Sequence, residues 1–462
     1  MTSRSQLEER LRRDAREILA AGVAGADPRA LVHRALHGEP HVGPPITLVA
    51  VGKAAGGMAG GVADSPLVSR VTRALVVTPH GLSAQPKLPQ AWGWLTAGHP
   101  IPDSGSMAAA RAVRTLAESG EVDEEEMGGG SSKEFLMLLS GGASALLTLP
   151  VPGLTLSHLQ ATTRILQEAG ATIHQLNAVR TSLDVLKGGG LAALVRAQTI
   201  RGLLLSDVVG DDPVIIGSGP LCAGAHGGLT AWATIQELGV EERVPQAVRR
   251  YLAAGLPGGA DGESGGGDGH WGRSWSHPDG NLPPVSLTVV GSVANAVGGA
   301  RKRAEMLGYS TQVKGLGVEG ESREVGRALG REALALLKDK APREPTCVLM
   351  GGETTVTVRG RGVGGRNQEV ALGAALELEG GGVGALVASM GTDGVDGPTP
   401  AAGGMVTWTS AARARAQGRG VEHALDSNDS YPCLRALGDL LVTGPTGTNV
   451  MDLMLVLAWP GA

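Results

Sequence analysis

The stretch ITLVAVGKAAGGMAGG, residues 46–61, joins an uninterrupted apolar run to a glycine-rich turn and the start of a helical pattern. Continuous apolar runs are typical of strands that helices cover on both faces. The same pattern recurs in ALVVT (74–78), EFLMLLSGG (134–142), GLLLSDVVG (202–210), VSLTVVGS (285–292), TCVLMGG (346–352) and GALVASMGTDG (384–394). Helical patterns lie between these runs at 105–118, 156–170, 293–307 and 320–338. This alternation predicts an α/β protein with parallel, doubly wound sheets.

The length of 462 residues predicts two domains, since a single core rarely serves so long a chain. The Gly/Pro-rich stretch 254–284 predicts the boundary, which gives an N-terminal domain at 1–253 and a C-terminal domain at 285–462. The alternating segment TTVTVRG (354–360) predicts an antiparallel strand, so we expect the second domain to be mixed. A second low-complexity stretch, 121–133, and the boundary itself predict disordered surface insertions.

Composition excludes several classes of function. The formal net charge is −5 without a long basic run, which argues against nucleic acid as a partner. Three widely separated cysteines argue against a zinc site or a disulfide framework, and no apolar run is long enough for a membrane span. Residues 1–23 predict a solvated amphipathic helix with Leu7, Leu11 and Ile18 on one face. We expect a cytoplasmic protein, with a mitochondrial leader as the alternative.

Polar residues follow the predicted strands where ligands bind in open α/β sheets. They are a lysine, a Ser/Gly loop and several carboxylates: Lys53, Ser140 to Ser144, Asp207, Asp211, Glu353, Asp393 and Asp396. A cation, a glycine-rich anion cradle and acids for Mg²⁺ are the residue types of a phosphoryl-transfer site.

Each signal has a structural alternative. Lys53 lies in a turn that is neither a Walker A loop nor a dinucleotide fingerprint, so it could equally be a surface lysine. The loop LLSGGASALL (138–147) could hold an oxyanion or only form a tight turn, and it lacks the second glycine of a nucleophile elbow. Asp207 directly after a leucine run favours a metal or a cation as its partner. Arg366, at the start of a helix after a glycine-rich loop, suits transition-state charge stabilisation. His99 is interpreted as a loop residue.

Taken together, eight strings in order resemble the glycerate kinases of the MOFRL type. They are VGKAAGGMA (51–59), TAGHPIPD (96–103), LLSGGASALL (138–147), NAVRTSLDVLKGGGLA (177–192), LLSDVVGDDPVIIGSGP (204–220), GGETTVTVRGRGVGGRNQE (351–369), GTDGVDGPTPAAGG (391–404) and LVTGPTGTNVMD (441–452).

This resemblance implies Mg²⁺-dependent transfer of phosphate from ATP to D-glycerate, with 2-phosphoglycerate favoured over 3-phosphoglycerate. It also implies a Rossmann-like N-terminal domain, a smaller mixed MOFRL domain and an active site in the cleft between them. The implied catalytic residues are Lys53, Arg366, Asp207 and Asp393. Substrate binding is expected at Ser140, Gly141, Gly142, Ser144, Asn177, Arg180 and Lys187. We assign nucleotide binding to Gly52, Gly56, Glu353 and Asn367, and metal binding to Asp207, Asp211 and Asp396.

Two rival functions stay open at this point. An NAD(P)-dependent hydroxypyruvate reductase would need a dinucleotide fingerprint, and the sequence has none. A non-catalytic protein with the same pocket would have lost a key cation or acid, and none is lost. No membrane or nucleic-acid partner is expected, and the sequence leaves a homodimer open.

Overall fold

The computed structural model describes residues 3–81, 87–119, 133–222, 231–254, 282–338, 344–381 and 383–460. The predicted insertions at 121–133 and 254–284 lie almost wholly outside the described residues. The strands are β1 Ile46–Val51, β2 Val71–Pro79, β3 Gly93–Ala97, β4 Glu134–Ser140, β5 Thr199–Leu205, β6 Val285–Gly291, β7 Ser310–Val318, β8 Thr346–Gly352, β9 Ala385–Gly391, β10 Gly403–Thr407, β11 Leu440–Leu441 and β12 Asp452–Ala458.

Four of the described helices begin after a residue whose side chain accepts a hydrogen bond from an amide of the first turn, namely Ser3, Asp103, Thr155 and Thr172. They are α1 Arg4–Gly25, α2 Pro28–Ala35, α3 Ala55–Ala63, α4 Ser104–Glu118, α5 Ala143–Leu146, α6 Leu156–Glu168, α7 Ile173–Ser182, α8 Gly190–Leu194, α9 Ala231–Glu237, α10 Gln246–Ala254, α11 Val293–Met306, α12 Ser322–Lys338, α13 Arg366–Leu378, α14 Ser410–Ala416, α15 Val421–Asp426 and α16 Ser430–Leu437. No helix among these is long and apolar enough to cross a membrane.

One compact unit, called here the parallel-sheet unit, comprises residues 29–205 and 212–290. Its sheet has the order β3-β2-β1-β4-β5-β6, and β1 to β5 pair in parallel. That order is the doubly wound one of dinucleotide-binding folds, in which ligands bind beyond the carboxyl ends of the strands. The predicted Rossmann-like architecture is confirmed. Outside the sheet, α6, α7, α9 and α10 share a separate aliphatic core.

The other compact unit, called here the mixed-sheet unit, comprises residues 1–28, 206–211 and 291–462. Its sheet has the order β11-β10-β9-β12-β8-β7, with β7 and β8 parallel and the other pairs antiparallel. The central strands β9 and β12 are buried along their whole length because α1 and α11 cover one face and α12 and α13 the other. Gly326 and Gly373 let α12 and α13 touch, since a Cβ at Gly326 would lie 2.0 Å from the Val370 carbonyl oxygen.

Two segments differ from the predicted domain division at 254–284. Helix α1 was predicted within the N-terminal domain, but Leu11 and Ile18 are fully buried in the core of the mixed-sheet unit. Residues 206–211, which carry Asp207, also belong to the mixed-sheet unit. Contacts distant in sequence decide both placements, so a single cut through the chain could not reproduce them.

The predicted antiparallel strand at 354–360 is wrong. This segment forms only a bridge from Thr355 to Glu321. The amides of Arg359 and Gly360 donate instead to Oδ1 of Asn428, at 2.6 and 2.9 Å. A side chain therefore takes up the backbone donors that a neighbouring strand would need.

Candidate active site

In the parallel-sheet unit, Lys53 lies in a turn that ties the end of β1 to the end of β4. The Lys53 amide donates to the Gly141 carbonyl at 2.9 Å, and the Ala54 amide donates to Ser140 Oγ at 3.1 Å. Gly52 has φ +131°, and a Cβ there would lie 2.1 Å from Ser140 Oγ. Only glycine fits this close approach. The predicted role of Ser140 in substrate binding therefore competes with its role in holding the Lys53 turn.

A cavity of about 280 Å³ opens beside this turn. His99, Gly142, Ser144, Arg180 and Lys187 are among the residues that line it. A Cβ at Gly142 would lie 2.9 Å from the His99 ring and 3.4 Å from Lys53 Cγ, so the ring and the lysine stem both lie against this glycine. The cavity thus brings together several predicted substrate residues.

Buried hydroxyls connect the cavity to Asn177. Ser144 Oγ lies 2.9 Å from Ser218 Oγ, which donates to Asn177 Oδ1 at 3.0 Å. Asn177 is 1% exposed, and its Nδ2 has no hydrogen-bond partner within the described part of the chain. An unmatched buried amide donor costs free energy, which a ligand oxygen or a water could recover.

Two cations face this cavity with very different partners. Lys187 Nζ donates to Asp184 Oδ2 at 2.6 Å and to the Leu147 carbonyl at 2.9 Å. Burial lowers the pKa of Lys187, the Asp184 carboxylate opposes that shift, and Arg180 adds to it. Burial also lowers the pKa of Arg180, and no carboxylate among the described residues pairs with its guanidinium. A partly buried arginine that lines a cavity and has no carboxylate partner can bind an anionic ligand there.

The loop that carries His99 is fixed by Asp103, the N-cap of α4. Asp103 accepts hydrogen bonds from the amides of Gly98 and Ser106, and its Oδ2 lies 2.7 Å from His80 Nε2. Burial alone would raise the pKa of Asp103, but the bonds from His80, Ser106 and Gly98 lower it to about 2. Asp103 is therefore a carboxylate at neutral pH and holds the 98–103 loop in place.

In the mixed-sheet unit, Arg366 is the first residue of α13 and forms a cluster with two acids. Its Nε and Nη2 donate to Asp452 at 2.6 and 2.9 Å, and its Nη1 lies 2.8 Å from Glu353 Oε1. The side chain of Asp452 is fully buried, whereas that of Glu353 is 45% exposed. Burial would lower the pKa of Arg366, but Asp452 and Glu353 outweigh it and raise that pKa. Asp452 is thus the buried, fixed partner of Arg366. Glu353 is its solvent-exposed partner, which water can displace.

Asp393 lies in the turn after β9, near the same cluster. Its Oδ1 accepts from the Val395 amide at 3.0 Å. A Cβ at Gly391 would lie 3.2 Å from Asp393 Oδ1 and 3.6 Å from Asp452 Oδ1, which places both carboxylates next to this glycine. Asp393 therefore joins Arg366 at one end of the mixed sheet.

Asp396 and Asn367 fix the N-terminal turn of α13 through hydrogen bonds. Asp396 Oδ1 accepts from the Asn367 amide at 3.1 Å, and its Oδ2 accepts from the Gln368 amide at 3.0 Å. Burial raises the pKa of Asp396 to about 6, against these two amide bonds. Asn367 is fully buried and bonded to Asp396 and Ser389. The geometry supports a capping role for Asp396 rather than the predicted metal role, and an indirect role for Asn367.

The predicted metal trio does not form a cluster. Asp207 accepts from Asn449 Nδ2 at 3.0 Å, while Asp211 has a left-handed φ of +54° in a neighbouring turn. Across the described ranges, no group of three His, Cys, Asp or Glu side chains could hold a metal ion. Gly56, predicted for nucleotide binding, is buried within α3.

The sequence interpretation missed three residues of these clusters. His99 was interpreted as a loop residue, yet it lies against Gly142. Asp452 was passed over, although an aspartate that opens an otherwise apolar strand signals a buried ion pair. Ser218 gives no signal, since only the fold brings it to Asn177.

Comparison with known proteins shows the family to which the chain belongs. Residues 14–253 match a domain of unknown function, DUF4147, and residues 346–452 match the MOFRL family. The chain is 34% identical over 413 residues to the D-glycerate 2-kinase of Thermotoga maritima, covering 89% of this chain and 90% of that one. It is 32% identical over 516 residues to the glycerate kinase of Homo sapiens, covering 97% and 94%. The crystal structure of Thermotoga maritima glycerate kinase superposes with a TM-score of 0.78 at 33% identity, covering 97% of this chain and all of that one.

Proposed function

The chain belongs to the glycerate kinase family, and from that premise we propose that it transfers the γ-phosphoryl group of ATP to D-glycerate. We favour the 2-hydroxyl as the acceptor.

The observation that carries this proposal is Arg180, which lines the cavity and pairs with no carboxylate among the described residues. The glycerate carboxylate supplies the anion for Arg180, and Ser144, which Ser218 connects to Asn177, faces the substrate from the same cavity. Gly142 and Ser144 line the same cavity. Such charge-assisted hydrogen bonds orient a small acid firmly.

The phosphates of ATP are assigned to Lys53 and Arg366. Lys53 lies at a strand end where ligands of open α/β sheets bind, with Gly52 and Gly56 on either side in the chain. Arg366 keeps its bidentate bond to buried Asp452 and exchanges the exposed Glu353 for a phosphate oxygen. A guanidinium held in this way can stabilise negative charge in the transition state without reorganising.

Mg²⁺ accompanies ATP in this proposal. The ion usually takes only one or two protein carboxylates and completes its shell with phosphate oxygens and water. The all-oxygen donors Asp207 and Asp393 fit that requirement, whereas Asp396 does not, because both of its oxygens accept amide hydrogen bonds. When bound, the ion neutralises phosphate charge, while Asp207 or Asp393 orients the attacking hydroxyl.

A coupled assay tests the proposal against its rivals. We expect ADP release that requires both glycerate and Mg²⁺. Oxidation of NADH with hydroxypyruvate would support the reductase instead. The absence of both activities would support a non-catalytic binding protein. Arg180→Met should raise the KM for glycerate, while Arg164→Met, which alters an exposed arginine on α6 outside the cavity, should leave it unchanged. We also place the protein in the cytoplasm, which cell fractionation can check.

A further inference from the structure

The cavity of the parallel-sheet unit has two chemically different sides. Ser144, Arg180 and Lys187 form its polar side. Its other side consists largely of aliphatic side chains, which come from α6, α7 and the turn after α7: Leu159, Leu166, Val179 and Leu183. On α6, Leu159 and Leu166 lie on one face with Thr162 and Thr163 between them, as helical spacing requires.

Two of the three threonines that line the cavity, Thr148 and Thr162, do not make this side polar. Thr162 donates its hydroxyl proton to the His158 carbonyl at 2.8 Å. Thr148 donates to the carbonyls of Ser144 and Ala145 at 3.2 and 3.3 Å. Because both hydroxyl groups donate to helix carbonyls, these side chains contribute mainly their methyl groups to the cavity.

The aliphatic side is preformed. Gln160 on α6 donates to the Pro102 carbonyl at 2.7 Å and so fastens the 98–103 loop to this helix. Leu166, Val179 and Leu183 are at most 2% exposed, because they also belong to the core that α6 and α7 share with α9 and α10. The space between the two sides therefore does not depend on a mobile side chain.

D-Glycerate uses only part of this space. An engineered cavity of about 150 Å³ already holds benzene, a molecule of about the size of glycerate. The cavity here measures about 280 Å³. Every carbon of glycerate carries oxygen, so glycerate has no alkyl group for the aliphatic side, and its hydroxyls would lose water there without gaining a partner.

We infer that this site also accepts 2,3-dihydroxy acids that carry a short alkyl group on C3. The inference rests on the proposed function, since Arg180 binds the carboxylate of either kind of acid. The alkyl group then lies against Leu159, the most exposed of the four aliphatic side chains of the cavity. The chemical step is unchanged: the substrate hydroxyl oxygen bonds to the γ-phosphorus of ATP, the bond to the bridging oxygen breaks, ADP leaves with that electron pair, and the hydroxyl proton passes to a carboxylate or to water.

Steady-state kinetics with three acids test the inference on the full chain. D-Glycerate, 2,3-dihydroxybutanoate and 2,3-dihydroxy-3-methylbutanoate are compared by ADP release with saturating MgATP. We expect kcat/KM for the alkyl acids to be at least about a tenth of that for D-glycerate or to exceed it, since a well-placed methylene contributes roughly 10-fold or more in favour of the acid that carries it. If D-glycerate is turned over well but kcat/KM for the alkyl acids is more than about 100-fold lower, the inference is overturned and the proposed function stays intact.

A matched pair of variants locates the effect. Thr163→Phe places a ring in the aliphatic part of the cavity, whereas Arg164→Phe places the same ring on α6 outside it. Thr163→Phe should lower kcat/KM for the alkyl acids at least about tenfold and change that for D-glycerate less than about threefold. Arg164→Phe should change neither. Equal losses for all acids in Thr163→Phe would contradict the inference.

If the protein shows no turnover, binding measurements distinguish a failure of the proposed function from a failure of the inference about alkyl acids. When no acid is phosphorylated, the proposed function has failed, and the thermal midpoint of the protein with each acid judges the cavity alone. A larger upward shift with the alkyl acids than with D-glycerate then supports the inference, and no shift with them overturns it.

Discussion

Replacing Arg366 by alanine removes three nitrogen contacts and leaves the fully buried carboxylate of Asp452 without its cation. Breaking a buried ion pair from one side costs about 3–5 kcal/mol of unfolding free energy. The Arg366 side chain is 35% exposed, so solvent screens the pair in part and we expect a loss of about 3 kcal/mol. Turnover should fall by at least about 10³-fold, the usual effect of losing an arginine that stabilises a phosphoryl-transfer transition state.

The double variant Arg366→Ala with Asp452→Asn separates the two effects. Asparagine removes the stranded charge, so most of the lost stability should return, while turnover stays as low as in Arg366→Ala. Urea unfolding gives the stability, and ADP release gives the rate. Recovery of activity together with stability would refute the catalytic role, because the arginine would then only support the fold.

Arg413 provides a matched control for this experiment. It pairs with Asp439 in the same unit, and the exposures of 35% and 0% equal those of Arg366 and Asp452. Asp439 also bonds to Arg12 at 2.9 Å, so Arg413→Ala should cost less, about 1–2 kcal/mol. Its kcat should stay normal. A comparable loss of kcat in Arg413→Ala would show that the assay follows stability rather than chemistry.

Four further predictions follow from the two clusters. Lys53→Met should lower kcat by at least about 10³-fold with little change in the thermal midpoint, and a near-normal kcat would remove Lys53 from the site. Gly52→Ala should cost at least about 2 kcal/mol in urea unfolding, because its Cβ would lie 2.1 Å from Ser140 Oγ at φ +131°; an unchanged midpoint would contradict this. Arg180→Met should raise the KM for glycerate about 10- to 100-fold and leave that for ATP unchanged, whereas equal changes in both would argue against a carboxylate contact. Burial raises the pKa of Asp396 to about 6 from 3.8, so the folded state holds this proton more tightly than the unfolded chain. The stability of the wild type relative to Asp396→Asn should therefore fall by about 2 kcal/mol between pH 4 and pH 7, and a pH-independent difference in urea unfolding would refute the assignment.

Much of the fold was predictable because it follows from local periodicity. The apolar runs at 46–52, 134–142 and 346–352 correspond to β1, β4 and β8, since strands covered on both faces have no polar alternation. β7 was missed because its residues are mostly exposed and interrupted by glycine. The segment 354–360 has strand periodicity but no strand partner, since Asn428 takes its amides.

The candidate site was predictable as a set of residue types and less so as a set of contacts. Lys53 and Arg366 could be chosen from their positions at a strand end and a helix start. The partner of Arg366 could not, because Asp452 is far along the chain and only the pairing of β12 with β8 and β9 brings it near. Asp396 was assigned to metal because acids in a Gly/Pro turn suggest ligands, whereas the amides of α13 engage both of its oxygens.

Phosphorus NMR of the reaction product tests the central claim most directly. With D-glycerate, MgATP and the full chain, we predict a new phosphomonoester signal that grows in step with ADP. Coupling to the single proton on C2 should split this signal into a doublet, as expected for 2-phosphoglycerate. A triplet from the two protons on C3 would correct the position of transfer, and the absence of any glycerate-dependent signal would contradict the account.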